Sequence, residues 1–157
     1  MSPIAILGDA ATLAAAVGSG LVAGLCFAFA SFLMRSFDDL GPAQAIRTMQ
    51  ALNTRILRSS AMGVWFGTAA VAVAAVAMSE DRPLALAAAA LYGAGAIVIT
   101  GQGNVPLNEE LDRVDADALS TEAAGETWRR YRVLWGRWNA LRTAFCALAS
   151  AGFALAL

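Results

Sequence analysis

The sequence contains no histidine and no lysine, so all 11 of its positive charges are arginines. Charged residues make up only 15% of the 157 residues, against roughly 25% in an ordinary soluble domain. Without histidine the chain cannot build a His-ligated zinc, haem or di-iron site, nor a Ser-His-Asp or Cys-His catalytic centre. The net charge of −1 and the lack of a basic run argue against nucleic-acid binding. The hydrophobic content of 59% excludes a disordered chain.

Four long stretches carry almost no charge, and they predict four membrane spans at about 10–34, 59–79, 84–101 and 142–157. About 20 apolar residues are needed to cross a bilayer as a helix. The first two stretches are long enough, whereas the third and fourth are short and need flanking residues or local thinning of the bilayer. Since these runs are uniformly apolar rather than striped, a soluble bundle is disfavoured. We therefore expect one domain over 1–157, an all-α integral-membrane four-helix bundle.

The arginines lie almost entirely on one side of these spans. The segments 35–58 and 102–141, together with Arg142 at their border, hold ten of the eleven arginines, and the opposite side holds only Arg82. Because positive loops stay in the cytoplasm, the pattern predicts a cytoplasmic-membrane protein with both termini outside. The N-terminal run lacks a basic leader and is too long for a cleavable signal, so it is expected to be the first membrane helix.

The positions of proline predict how far the helices extend beyond the membrane. No proline follows Pro42 until residue 83, and the first half of 42–78 is amphipathic, so one continuous helix is expected there. The segment 120–157 also lacks proline and joins a polar part to the fourth span. Two helices should therefore extend on the cytoplasmic side, while 101–119 is expected to be a long irregular connection, a type of loop that is often functional.

Polar and aromatic side chains gather where these helices meet the cytoplasmic interface. One pair is Gln50 and Asn53, and a second group surrounds Pro106. The last helix carries an aromatic stripe that ends in an arginine. The second and third groups are Gln102, Asn104 and Asn108, then Trp128, Tyr131, Trp135, Trp138 and Arg142, with Asn139 beside the stripe.

Each group alone has a structural explanation, as interfacial aromatics, a snorkelling arginine, helix caps or interhelical hydrogen bonds. Together they lie at one depth, and converging amides, an aromatic wall and a fixed cation are typical of a small-molecule pocket. A flat, membrane-soluble ligand could stack on Trp135 and Trp138. An oxyanion on that ligand could be met by Arg142 and the neighbouring amides.

At these residues the chain resembles the anthrone oxygenase family of small membrane proteins. The matching segments begin at Gly24 (Gly-Leu-Cys-Phe-Ala-Phe), Met49 (Met-Gln-Ala-Leu-Asn), Asn104 (Asn-Val-Pro-Leu-Asn) and Trp135 (Trp-Gly-Arg-Trp-Asn-Ala-Leu-Arg-Thr). They follow the same order over essentially the whole chain, and the segment at Asn104 is the most distinctive.

The resemblance implies oxidation of an aromatic substrate by O₂ without a metal or flavin. An anthrone has an acidic carbon-bound proton, and its enolate can pass an electron to O₂ directly. The implied catalytic residues are Arg142, Asn104, Asn108 and Asn139, which would stabilise the enolate. The implied substrate-binding residues are Trp135, Trp138, Tyr131, Trp128, Gln50 and Asn53. Relatives commonly carry histidine where this chain has Ala140, so the base here must differ, and Glu110 and Asp112 are candidates.

Other functions remain open from the sequence. The chain could be a non-enzymatic module that binds a lipid or a quinone-like molecule in the bilayer, and a homo-oligomer fits either function. Transport is disfavoured, because no charged residue lies deep within a predicted span. The spacing of the remaining Cys, Met and carboxylate residues recommends no metal site. Cys26 and Cys146 both lie in predicted spans and are expected to be buried apolar thiols.

Overall fold

A computed structural model describes residues 2–157, and its regular elements are all helices. Five helices follow one another in this part of the chain. They are α1 (Pro3–Asp38), α2 (Pro42–Ile56), α3 (Ser60–Met78), α4 (Arg82–Asp112) and α5 (Thr121–Leu155). Two of them contain a π-helical segment, which is Phe29–Leu33 in α1 and Gly93–Asn104 in α4.

Polar side chains just before the helices explain where most of them begin. Ser2, Ser59, Asp81 and Ser120 each accept a hydrogen bond from a backbone N–H of the first helical turn. Such caps satisfy donors that have no partner inside the helix. α2 follows Gly41 instead, whose φ of 80° suits glycine, and Pro42 occupies its first turn.

Helices α1, α3, α4 and α5 form a four-helix bundle, which confirms the predicted all-α architecture. α1 and α4 each pack against both α3 and α5. The core changes in character along the bundle. Small alanines around Phe153 fill the end near the termini, the middle layer contains Trp65 and Tyr92, and the far end is rich in large aromatics that include Trp128 and Trp135.

Three of the helices, α1, α3 and α4, are long and apolar enough to cross a membrane. Their outward faces carry exposed apolar side chains such as Leu21, Phe66 and Val73, as expected for surfaces in contact with lipid. The protein is therefore a membrane protein. The fourth predicted span, 142–157, forms the last part of α5, and its crossing stays a prediction.

The continuous helix predicted over 42–78 is wrong. The chain leaves the helical path at 57–59, between α2 and α3. The Ser59 hydroxyl donates to the carbonyl of Ile56 and accepts from the N–H of Ala61, so it closes one helix and caps the next. The amphipathic α2 thereby turns aside and packs against α5 and the ends of α1 and α4. Of the two continuous helices predicted, only the second is observed, as α5, and its extension beyond the membrane stays a prediction.

The long irregular connection predicted over 101–119 is also wrong. Helix α4 continues through this region to Asp112, and only the residues from 113 to 120 leave the helix. Pro106 cannot donate the backbone hydrogen bond that a regular helix requires. The π-helical segment Gly93–Asn104 lies directly before it, and this wider turn lets the helix pass the proline.

Candidate functional site

The buried face of α5 runs through Trp128, Tyr131, Trp135, Asn139 and Arg142. The sequence stripe placed Trp138 on this face and Asn139 beside it, and the structure reverses the two. Asn139 is fully buried, whereas Trp138 is 40% exposed. Both positions lie within half a turn of the stripe, so the helical period alone cannot choose between them. The indole of Trp138 instead covers Gly103 on α4.

Gly103 is required by this contact, because a Cβ atom there would overlap the Trp138 indole. We expect Gly103→Ala to destabilise the bundle by about 1–3 kcal/mol, since a packed helix interface tolerates an added methyl group poorly. Gly101→Ala is the matched control, because a Cβ atom at Gly101 meets nothing within 4 Å. Unfolding in mixed micelles measures both variants, and equal stabilities would contradict the assignment.

Arg142 is the buried cation of the molecule, with 8% of its surface exposed. Its Nε donates to Oδ1 of Asn139 at 3.0 Å, and Nδ2 of Asn139 donates to the carbonyl of Cys26 at 2.9 Å. The guanidinium carbon lies 5.0 Å from the ring centre of Trp135 and 5.6 Å from that of Trp65. Two aromatic faces therefore sandwich a charge that an asparagine orients.

In the part of the chain that the structure describes, no carboxylate lies within 4.0 Å of the Arg142 guanidinium. Among residues 2–157, every ion pair within 4.0 Å involves a different arginine, namely Arg47, Arg113, Arg130 or Arg132. A buried charge without a counter-ion is costly. Charged residues within membrane proteins usually mark a functional site for this reason.

Two buried polar atoms, on Trp135 and on its neighbour Asn104, have no partner in the part of the chain that the structure describes. Nδ2 of the fully buried Asn104 donates to the carbonyl of Trp135 at 3.2 Å, but its Oδ1 accepts nothing in the described residues. Nε1 of Trp135 is likewise buried and unsatisfied. Buried polar groups are usually paired. Trp135 links these atoms to the cation, because Asn104 donates to its carbonyl and Arg142 lies over its ring. We call Arg142, Asn139, Asn104, Trp135 and Trp65 the Arg142 cluster.

A second polar layer lies next to the Arg142 cluster, around Tyr131. The Tyr131 ring centre is 6.3 Å from that of Trp135, and its hydroxyl donates to Oδ1 of Asn108 at 2.9 Å. Asn53 donates to Asp112 at 3.3 Å. Gln50 donates to the carbonyl of Leu111 in the last turn of α4 and to that of Val114 just after it, both at 2.9 Å. The predicted set is thus divided into two adjoining layers.

Burial raises the pKa of the Tyr131 hydroxyl well above its usual value of 10; the charge of Arg142 opposes this shift and that of Asp112 adds to it. Tyr131 therefore stays protonated at neutral pH and serves as a hydrogen-bond donor, not as a base.

A pH dependence follows from this shift. Above pH 10 the unfolded chain releases the Tyr131 proton while the folded chain keeps it, so the stabilising contribution, complete below pH 10, is lost as the pH rises. Unfolding at pH 8 and pH 11 should show wild type losing more stability than Tyr131→Phe between the two values. A difference between the two proteins that stays constant with pH would contradict the shift.

Trp128 holds the end of α1 against α5. Its Nε1 donates to Oδ1 of Asp38 at 2.8 Å, and Arg132 binds the other carboxylate oxygen at 2.7 Å. Its ring stacks on Tyr131, with ring centres 5.8 Å apart. Because both its edge and its face are occupied by the protein, Trp128 is placed as a structural residue, not as an open surface for a ligand.

Trp65 and Phe29 belong to the site although neither was predicted as a site residue. Trp65 donates to the carbonyl of Ala96 at 2.8 Å, and the Tyr92 hydroxyl donates to the carbonyl of Trp65 at 2.7 Å, so the ring that faces Arg142 is firmly held. Phe29 packs against Trp135 with ring centres 5.5 Å apart. A tryptophan inside an apolar run, away from the interface where tryptophan is usual, was the available signal for Trp65.

Two openings adjoin these layers. A groove of about 600 Å³ lies between α1 and α2, lined by Leu25, Phe29, Leu33 and Phe37 on one side and by a face of α2 with Arg47 and Arg55 on the other. A second cavity of about 350 Å³ lies below Tyr131, where α4 and α5 meet. Neither is lined by Arg142, Asn104 or Asn139. Phe29 lines the groove and also packs against Trp135 of the Arg142 cluster.

Two further features concern the cysteines and the groups that could bind a metal ion. Cys26 and Cys146 are both buried free thiols, as expected. Within residues 2–157, no three His, Cys, Asp or Glu side chains come together as a metal site would require.

These observations define a class of protein: a small membrane-embedded helical bundle whose core holds an oriented, uncompensated arginine between aromatic rings. Comparison with protein families is consistent with this description. The family model described as anthrone oxygenase matches residues 49–152, which include α3, α4 and most of α5. The chain therefore belongs to the anthrone oxygenase family. No curated protein and no solved structure matches it significantly.

Proposed function

We propose that the protein is an oxygenase that oxidises an aromatic, membrane-soluble substrate with O₂ and without a cofactor. The observation that carries the proposal is the Arg142 charge, buried, oriented by Asn139 and without a carboxylate partner in the described chain. Such a charge is fitted to an anion that arrives with the substrate. Family membership supports the same class of reaction.

The reaction needs an enolate, and the Arg142 cluster supplies what an enolate requires. Deprotonation of the ring methylene that lies opposite the carbonyl and is conjugated with it through the aromatic rings places negative charge on the carbonyl oxygen. A fixed cation and N–H donors away from water stabilise such a charge most strongly. Arg142 and the unused Nε1 of Trp135 are the donors, and Trp65 and Trp135 provide the apolar surroundings.

The balance of the proposed reaction is simple. The methylene carbon loses two hydrogens and gains one oxygen atom from O₂, so the ketone becomes a quinone. The second oxygen atom leaves as water with the two hydrogens. The protein supplies no electrons, because the enolate itself reduces O₂.

A proton acceptor is also needed, and Asp112 is placed better than Glu110. Both carboxylates are exposed, but Glu110 is paired with Arg130 at 2.9 Å, whereas Asp112 takes part in none of the ion pairs of residues 2–157. Asp112 accepts a hydrogen bond from Asn53, and its charge adds to the raised pKa of Tyr131. It therefore belongs to the polar layer next to the Arg142 cluster. We assign Asp112 as the acceptor in this proposal.

The test is oxidation of an anthrone by the purified protein in lipid nanodiscs. Quinone formation should be faster than the spontaneous oxidation in empty nanodiscs, should consume one O₂ per quinone and should persist after treatment with a chelator. A rate equal to that of empty nanodiscs would contradict the proposal.

Binding without turnover is the second candidate function. It is favoured by the lining of the two openings, neither of which includes Arg142, Asn104 or Asn139. A quinone-like molecule that co-purifies in stoichiometric amount, with no O₂ uptake on addition of an anthrone, would support it.

We also propose that the arginine-rich end of the bundle faces the cytoplasm and that both termini are outside. Alkaline phosphatase fused after Leu157 should then be active, and green fluorescent protein fused at the same place should stay dark. The reverse pair of results would contradict this orientation.

A further inference from the structure

The groove between α1 and α2 has a composition that suits a particular ligand. Leu25, Phe29, Leu33 and Phe37 are spaced four residues apart on α1 and give it one apolar wall. The opposite wall, on α2, carries two arginines. One of them, Arg47, is engaged by Gln44 and Asp117.

The second arginine of that wall, Arg55, is exposed and available. Within residues 2–157 it takes part in none of the four ion pairs and in no side-chain hydrogen bond. An apolar wall faced by an unpaired cation is complementary to an amphiphile that has a flat apolar body and an acidic group.

The part of the groove lined by Leu25 and Phe29 adjoins residues of the Arg142 cluster. Phe29 lines the groove and packs against Trp135, which in turn lies 5.0 Å from the Arg142 guanidinium. Leu25, one turn earlier, lines the groove and packs against the core layer that contains Trp65. Phe29 is also the first residue of the π-helical segment of α1, a type of helix often found at functional sites.

We propose that this groove admits the substrate, that Arg55 binds a second acidic group on it, and that Phe29 controls passage of its ring to Trp135 and Arg142. This inference rests on the proposed function for the identity of the ring. The substrate class is a planar aromatic ketone with a carboxylate or an acidic phenol at the end remote from the reacting carbonyl.

Binding of two stable probes tests the role of Arg55 without any turnover. An anthraquinone carboxylate and unsubstituted anthraquinone are titrated into the full-length protein in phosphatidylcholine nanodiscs, and quenching of tryptophan fluorescence reports Kd. We expect the carboxylate to bind about five- to tenfold more tightly, as charge-assisted hydrogen bonds allow. Arg55→Gln should remove this preference and leave the Kd of the neutral probe unchanged.

Arg58→Gln is the matched control, since Arg58 is an exposed arginine three residues away and outside the groove. It should preserve the preference. Equal affinities for the two probes in wild type, or loss of the preference in both variants, would overturn the inference. Loss of carboxylate binding when phosphatidylglycerol replaces phosphatidylcholine would also overturn it, because a lipid headgroup would then be the occupant.

Two substitutions test the path itself. Ala51→Phe fills the groove from α2 and should raise the Kd of both probes by about tenfold or more. Val73→Phe, on the lipid-facing side of α3, should leave both Kd values unchanged. Phe29→Ala should improve the affinity of a four-ring quinone relative to the three-ring probe. An unchanged affinity in Ala51→Phe or an unchanged ratio in Phe29→Ala would overturn the path. Probe binding without anthrone oxidation would instead contradict only the proposed function.

Discussion

Replacing Arg142 with methionine should lower the rate of enzymatic quinone formation by about 100- to 1000-fold, the usual cost of removing a donor to an oxyanion. The charge that this substitution removes is buried, and no carboxylate shares it in the described chain. Methionine has an unbranched apolar side chain that reaches about as far as Nε of the arginine, so it retains the stem and loses the guanidinium between Trp65 and Trp135. The variant therefore removes the charge more than the packing.

The stability of the same variant distinguishes a functional arginine from a structural one. Removing an uncompensated buried charge leaves the free energy of unfolding unchanged or raises it by about 1–4 kcal/mol. Oδ1 of Asn139 loses its donor in the same variant, and this lowers the free energy of unfolding by about 1–3 kcal/mol. We therefore expect Arg142→Met to unfold within about 2 kcal/mol of wild type. Full activity in this variant would contradict the role of Arg142, and a large loss of stability would mean that the arginine holds the bundle together.

The matched control is Arg137→Met. Arg137 lies on the same helix but is exposed, and it has no contact with the Arg142 cluster. It should retain both the rate and the stability of wild type. Anthrone oxidation and unfolding in mixed micelles, measured on the three proteins in parallel, complete this comparison.

Asn139→Asp should lower the rate of oxidation by about 100-fold with almost no change in shape. Aspartate has the size of asparagine, and its carboxylate would lie where Oδ1 now accepts from Nε of Arg142 at 3.0 Å. The new negative charge would neutralise the guanidinium, so an incoming enolate would meet an ion pair instead of a cation. The N–H donor to the carbonyl of Cys26 would also be lost.

This variant tests the charge of Arg142 without removing the side chain, because the arginine remains in place and only its charge is neutralised. Gln102→Glu is the control, since it adds the same charge at an exposed position on α4 outside the Arg142 cluster. The Kd of a neutral quinone should stay the same in both variants. Wild-type rates in Asn139→Asp would show that the enolate charge is stabilised elsewhere.

Much of the fold follows from features that sequence patterns report well. Charge-free runs predict apolar helices regardless of their partners, and the period of α5 predicts a buried aromatic face that ends at Arg142. The break at 57–59 could not be predicted, because Leu57 and Arg58 are good helix formers and only the hydrogen bonds of Ser59 mark the turn. The continuation of α4 past Pro106 depends on a π-helical segment, and no simple residue pattern specifies one.

The sequence predicted which residues form the candidate site better than it predicted how they contact one another. Arg142, Asn104, Asn139 and Trp135 adjoin one another, as the position of the polar residues at one depth indicated. Asn139 lies on the buried face of α5 in place of Trp138 because it donates to the carbonyl of Cys26. That carbonyl is 113 residues away in the chain, so a local pattern does not report it. The second ring over Arg142, that of Trp65, comes from another helix, and a single helical period carries no information about such a neighbour.

The most direct test of the central claim is the ionisation of an anthrone bound to the protein in the absence of O₂. The absorption spectrum of a stoichiometric anthrone complex in anaerobic nanodiscs reports ketone and enolate separately. We predict that the enolate band appears in wild type at a pH where the free anthrone is still a ketone, and that Arg142→Met binds the same anthrone as a ketone. A ketone spectrum in wild type, or the same enolate band in both proteins, would contradict the claim that the buried arginine stabilises the reacting anion.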